Sequence, residues 1–192
     1  YDDLWVVDDT STLVQLNPDV YEGRLSDHTS RVVVPYRATD KTLVGVTART
    51  LGESTLRYVN VKVTDDPMIW GLDRVDVTQT IYVTEGAFDG MFLPNSVSAS
   101  GSDLKKVETV LPTDRLVYVY DNEPRSPEIL TKILSTIENG RKIFIPPKSM
   151  KAKDLNDLIR TNFEADKLPS FINKHTFDTL HAMVKFNEWK KI

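Results

Sequence analysis

Glu85, Asp89, Asp121, Glu123, Asp154 and Asp157 are the residues of this chain best suited to chemistry, and the residues it lacks say which chemistry. There is no cysteine and there are three histidines in 192 residues. Disulfides and thiolate zinc sites are therefore excluded, and a His-rich metal site is not provided for. Carboxylates without soft or imidazole partners suit a hard cation, Mg²⁺ or Mn²⁺. Crowded carboxylates repel one another, so protons or cations must neutralise some of them at neutral pH. Two such ions, shared with substrate phosphates, can stabilise the attacking and leaving oxygens of a displacement at phosphorus. Plainer roles stand beside this one. Asp121-Asn122-Glu123-Pro124 is good turn chemistry, and Asp154 can simply cap a helix.

The elements around these acids explain why they should meet. Residues 79–84 form an apolar, β-branched run that reads as a buried strand. Glu85 stands at its end and Gly86 at the turn. Ala87, Met91 and Phe92 then begin a short helix, and Asp89 lies about one helical turn beyond Glu85. A small strand at 97–100 ends in Gly101, and residues 103–110 read as helical. The strand at 115–120 runs into Asp121 and Glu123. Ser126 and Pro127 open a helix as N-cap and first residue, with Ile129, Leu130, Ile133, Leu134 and Ile137 as its buried stripe and Gly140 at its end. A fourth strand spans 141–145, and a helix opens near Asp154. The last stretch, 170–192, reads as helical, with Phe177, Leu180 and Val184 at spacing three and four. Alternating strands and helices argue for a small parallel sheet with helices on its faces. All strands of such a sheet end at one edge, where open α/β sheets hold ligands. The acidic groups should therefore converge.

The preceding block has a different period. Residues 31–36, 43–49 and 57–63 read as antiparallel strands joined by turns. Alternation puts Arg57 with Val59, Val61 and Val63, and sets Lys62 on the opposite face with Tyr58 and Asn60. Such strands could present Arg49, Arg57 and Lys62 to a polyanion, or their basic residues could merely keep exposed strands soluble. The expected division is a β-rich subdomain at 1–77, an α/β domain at 78–162 and a helical segment at 163–192. Net charge follows the blocks: −6 over 1–30, +4 over 31–62, −7 over 63–140 and +5 over 141–192. An acidic centre between basic flanks suits a metal site bordered by a phosphate-binding surface. No run approaches the ~18 apolar residues of a membrane span, and no signal peptide is visible. The chain begins at Tyr1 rather than Met, as a fragment of a longer protein would.

Glu85-Gly86-Ala87-Phe88-Asp89, then Gly101, then Asp121-Asn122-Glu123, resemble the Toprim fold shared by bacterial replicative primases, topoisomerases and some nucleases. The upstream segments Arg31-Val32-Val33-Val34-Pro35-Tyr36, Val44-Gly45-Val46-Thr47-Ala48-Arg49, Arg57-Tyr58-Val59-Asn60 and Trp70-Gly71-Leu72 narrow this. They are similar to the strand block that precedes Toprim in bacterial-type primases. Asp121-Asn122-Glu123-Pro124-Arg125 and the small size are similar to the primases of T-even-type bacteriophages. The resemblance covers about residues 25–160. It implies a nucleotidyltransferase core making short RNA primers on single-stranded DNA from ribonucleoside triphosphates. It further implies a hexameric replicative helicase as partner and a cytoplasmic location, that of the host if the protein is phage-encoded. By the same resemblance Glu85, Asp121 and Glu123 are catalytic and bind or organise Mg²⁺ or Mn²⁺, as two ions; Asp89 supports the site, Asp154 and Asp157 match the last acidic motif, and all six count as metal residues. Arg31, Arg49, Arg57 and Asn60 would face template or nucleotide, and Gly86 and Gly101 would form structural turns. Two departures stand out. The usual Asp-x-Asp is Asp-x-Glu here, and Asn156 stands where an acid is common in the last motif. The family's zinc-binding module is absent. Two other functions keep the same acids or the same basic strands: a Toprim metal-dependent nuclease, and a non-catalytic single-stranded DNA-binding module.

Overall fold

The computed structural model describes residues 3–25, 28–101 and 103–191. The chain divides into two compact units, residues 1–74 and 75–192.

The first unit is built on an antiparallel sheet. Its strands are β1 (Trp5–Val7), β2 (Arg31–Arg37), β3 (Leu43–Thr50) and β4 (Tyr58–Lys62), hydrogen-bonded in that order. Val33 pairs with Ala48 and Ala48 with Val59, while Val46 pairs with Val61. Directly paired residues point the same way, so these small and β-branched side chains share one face. Leu13, from the 3₁₀ turn Thr10–Leu16, joins them in a closed core. A short helix, α1 (Pro18–Tyr21), follows that turn, and the two-residue strand β5 (Ile69–Trp70) comes last. On β4, Val59 and Val61 are buried, while Tyr58, Asn60 and Lys62 are exposed.

The second unit carries the parallel sheet. Strands β6 (Ile81–Thr84), β7 (Ser96–Ala99), β8 (Leu116–Val119) and β9 (Lys142–Phe144) pair in parallel, β6 between β7 and β8, with β9 outside β8. Helices α2 (Ala87–Gly90), α3 (Pro127–Glu138), α4 (Leu155–Arg160), α5 (Leu168–Lys174) and α6 (Thr179–Trp189) complete it. Ser126 accepts from the Ile129 amide as the N-cap of α3, Pro127 follows, and Gly140 takes a left-handed φ of 69° just beyond the helix. These are the local signals read from the sequence. One sheet face buries Tyr82, Val117, Val119 and Phe144 against Leu155, Leu158, Leu168 and Ile172.

The C-terminal stretch departs from expectation. It is two helices separated by a strand, β10 (Thr176–Phe177), which pairs antiparallel with β9. The helix that restarts after Asp178 buries Ala182, Phe186 and Trp189, again at spacing four and three, and leaves Leu180 76% exposed and Val184 exposed. Two apolar stripes of the same period competed here. The one carrying the larger aromatic area was buried. Among the described residues, no helix is long and apolar enough to cross a membrane.

Candidate active site

Thr84 of β6 lies beside Val119 of β8 in the parallel register, so the residues that follow leave the sheet together. Glu85 comes one position after β6. Tyr120 and Asp121 follow β8. The single turn of α2 carries Asp89, and the start of α4 carries Asp154. Glu85, Asp89, Asp121 and Asp154 line one cleft at this edge, floored by Val119, Phe144 and Leu155. The space they leave, about 10 Å³, admits about one water-sized sphere.

Electrostatics within the cleft follow from this crowding. Burial pushes the Asp121 carboxyl up to about 7, and the neighbouring charges of Glu85, Asp89 and Asp154 add to the shift. Burial likewise pushes Asp89 up to about 6, helped by Asp154 and Glu85 and opposed by the Asn156 amide, which donates to Asp89 Oδ1 at 2.9 Å. Asp154 serves twice. Its Oδ1 accepts from the Asp157 amide at 2.6 Å, capping α4, while the residue lines the cleft. The capping and ligand readings of Asp154 are thus compatible.

Two lysines complete the arrangement, and sequence reading missed both. Lys132 Nζ, reaching back from α3, lies 3.1 Å from Glu85 Oε1 and 2.8 Å from Glu128 Oε1. Lys153 Nζ lies 2.7 Å from Glu123 Oε1 and 3.9 Å from Asp121 Oδ2. Lys132 falls on the helix stripe's polar side, where a lysine carries no signal of its own. Asn122, read only as a turn residue, is a lock. Its amide donates to Lys153 O at 2.6 Å, its side-chain nitrogen donates to Met150 O and Ala152 O, and its Oδ1 accepts from Trp189 Nε1 at 2.9 Å. It fastens the loop bearing Lys153 and Asp154, and the last turn of α6, to the turn bearing Asp121 and Glu123.

Some expected site residues lie elsewhere. Asp157 does not line the cleft. It sits in the first turn of α4 with its carboxylate toward Arg160, 3.8 Å away, because Asp154 and not Asp157 occupies the cap. Glu123 is also outside the cleft, turned to Lys153. Gly101 adopts a φ of +90°, where a side chain is strained. Gly86 does not: its φ is −125°, and a Cβ there would meet Asp89 Oδ2 at 3.5 Å, an ordinary contact. Among the described residues no group of three carboxylate or imidazole side chains is drawn together tightly enough to hold an ion as it stands. The donor set nevertheless fits a hard divalent cation: four carboxylates face one small space, and two of them are destabilised as anions by burial, with their neighbours' charges adding to it.

In the first unit, the basic residues divide in a way the sequence did not indicate. Arg31 is fully buried. Its Nε donates to Thr10 Oγ1 at 2.7 Å, Nη1 to Ala48 O at 3.3 Å and Nη2 to Leu56 O at 2.8 Å. It shares the core face of β2 with Val33, so strand alternation turns it into the core of the first unit and not to its surface. Arg57 lies just outside β4, and its guanidinium folds over the Tyr58 ring, 5.6 Å from the centroid. Arg49, paired opposite Tyr58, approaches the same ring at 5.7 Å. Arg49, Arg57, Tyr58, Asn60 and Lys62 thus share one surface. The expected separation of Arg57 from Lys62 fails because Arg57 is not part of the strand whose alternation would have placed it. Asn60 Oδ1 on that surface accepts from Thr47 Oγ1 at 2.6 Å.

No protein-family model matches the chain. Over 98% of its length it is 27% identical to the DNA primase of Enterobacteria phage T4, across 56% of that protein. The chain thus spans little more than half the length of this curated relative. Among solved structures it is similar to the Aquifex aeolicus primase zinc-binding and RNA polymerase domains, with a TM-score of 0.65 at 16% identity over 95% of this chain and 53% of that one. It is also similar to the Escherichia coli primase catalytic core, with a TM-score of 0.59 at 19% identity over 85% and 59%. A third is the DnaG primase catalytic domain bound to single-stranded DNA, at 0.57 and 17% over 82% and 56%. The fold is that of bacterial primase catalytic cores, as the resemblance of the sequence implied.

Proposed function

We propose that this chain is the core of a DNA primase, joining ribonucleoside triphosphates into short RNA primers on single-stranded DNA. The observation that carries this reading is the meeting of Glu85, Asp89, Asp121 and Asp154 at the carboxyl edge of a parallel sheet, in a chain with a primase-like fold. Those four residues would hold Mg²⁺ or Mn²⁺, which would supply charge stabilisation for a displacement at phosphorus. The chain's own groups prepare the site. Lys132 fixes Glu85 from α3, the α4 cap fixes Asp154, and Asn122 holds the two acidic loops together. Preset charges of this kind cost no reorganisation when reaction charge develops.

The exposed surface of β3 and β4 suits the template. Arg49, Arg57 and Lys62 can meet phosphates, and the Tyr58 ring, 45% exposed, can stack on an unpaired base. The similar primase catalytic domain solved with single-stranded DNA supports a nucleic-acid partner. A hexameric replicative helicase and a cytoplasmic place of action go with the same reading. The deciding experiment is incorporation of labelled ribonucleotides on a single-stranded template, with and without Mg²⁺. Mg²⁺-dependent oligoribonucleotides are the expected product. Cleavage of the template without incorporation would instead identify a nuclease using the same acids.

A further inference from the structure

Asp121 and Glu123 belong to one turn after β8, yet they have different surroundings. Asp121 faces the acidic cleft, and Glu123 does not. Glu123 Oε1 is in contact with Lys153 Nζ at 2.7 Å, and the same ammonium stands 3.9 Å from Asp121 Oδ2. Lys153 therefore occupies the position that a cation bridging the two acids would take. The backbone of Lys153 is fixed beside the same turn. Lys153 O accepts from the Asn122 amide at 2.6 Å, and Asn122 lies between the two acids in sequence. The space remaining in the cleft is that of about one small sphere. A divalent ion placed on Glu123 would have to displace the ammonium paired with it.

We infer that Lys153 takes the place of a second cation, so that the cleft holds one divalent ion per chain rather than the two expected from the sequence. Glu123 is then the partner of Lys153 and not a metal ligand. This rests on reading the cleft as a metal-dependent site, but it does not require that primers be made. Without the ammonium, Asp121 and Glu123 become a neighbouring pair of uncompensated carboxylates, and a second cation gains a place to bind.

The test is Mn²⁺ titration of the whole chain, followed by loss of the free-ion electron paramagnetic resonance signal and by calorimetry. One Mn²⁺ is expected on the wild type and two on Lys153→Met. Lys153 is 55% exposed at its side chain, so methionine is accommodated. Adding Glu123→Gln to Lys153→Met should return the count to one, and Lys153→Arg, which keeps the charge, should stay at one. Two ions of similar affinity on the wild type would overturn the inference. So would a count of one on Lys153→Met, or no bound ion on any variant. Primer synthesis is scored on the same samples. An inactive wild type that binds one Mn²⁺ would sink the polymerase reading while supporting the ion count.

Discussion

At Glu85, charge and not size is the property at stake, because its carboxylate both lines the cleft and anchors Lys132. Glu85→Gln keeps the shape and removes the charge. Primer synthesis is expected to fall by at least ~10²-fold, the scale for losing one preset charge at a reaction centre, with the folded protein's circular dichroism unchanged. Retained activity in folded protein would reassign Glu85 to a purely structural salt bridge. Asp121→Asn should weaken Mn²⁺ binding by calorimetry, and an unchanged affinity would leave Asp121 as a turn former. The acids at strand ends were legible because a parallel sheet delivers all its strand ends to one edge whatever the side-chain details. Asp157 was not. Whether Asp154 or Asp157 faces the cleft depends on which one caps α4, and the spacing of three lets either serve. Arg31 was misplaced for a similar reason. Its register was readable from the strand, but a fully buried guanidinium runs against every compositional expectation and is tolerable only because carbonyls and a hydroxyl await it.

Among the elements, the contact between α6 and the turn after β8 has the sharpest consequence for stability. Trp189 is buried, and its indole N–H donates to Asn122. Asn122→Ala leaves that donor and the Met150 and Ala152 carbonyls without this partner. A loss of about 1–3 kcal/mol per buried group left unsatisfied is expected, read as a lowered urea midpoint together with faster exchange of the Lys153-loop amides. A second junction gives a pH signature. Glu108, in the 3₁₀ turn Leu104–Thr109, accepts from Arg141 Nε at 2.9 Å and Nη2 at 2.8 Å, and from the Tyr118 hydroxyl on β8 at 2.6 Å. The Arg141 hydrogen bonds, ahead of the opposing effect of burial, hold its carboxyl below the usual value of 4.5. A carboxyl with a depressed folded pKa adds stability that is present above its unfolded value. That stability is lost as pH falls through the folded one. The fall in melting temperature from about pH 5 downward should therefore be shallower in Glu108→Gln, and equal slopes would remove the pair from the acid response. Sequence periodicity found α3 to its caps because cap chemistry is local. It missed β10 because two residues cannot show a period, and their pairing with β9 is a tertiary event.

For the molecule as a whole, blocks of opposite charge along the chain make salt the most informative variable. Affinity for a single-stranded oligonucleotide should fall with salt, with a slope of about −0.7 per phosphate neutralised. Arg49→Ala, Arg57→Ala and Lys62→Ala are each expected to reduce that slope, since all three border one surface. Tyr58→Ala should lower affinity by about 1–3 kcal/mol, the range for one lost base stack, and leave the slope in place. Fluorescence anisotropy over a salt series separates the two. Slopes unaltered by any of the three basic substitutions would move the template to the basic residues after 141. The bond from Trp189 to Asn122 spans 67 positions, and the one from Tyr82 to Asn173 spans 91. Synthesis proceeds from the amino end, at about 5–20 residues per second. A nascent chain that has cleared the ribosome only through α5 already carries every acid of the cleft but not the indole that closes on Asn122. Until α6 emerges, the loops that flank Asp121 and Asp154 are held by one clasp fewer, and its docking adds the indole bond to Asn122.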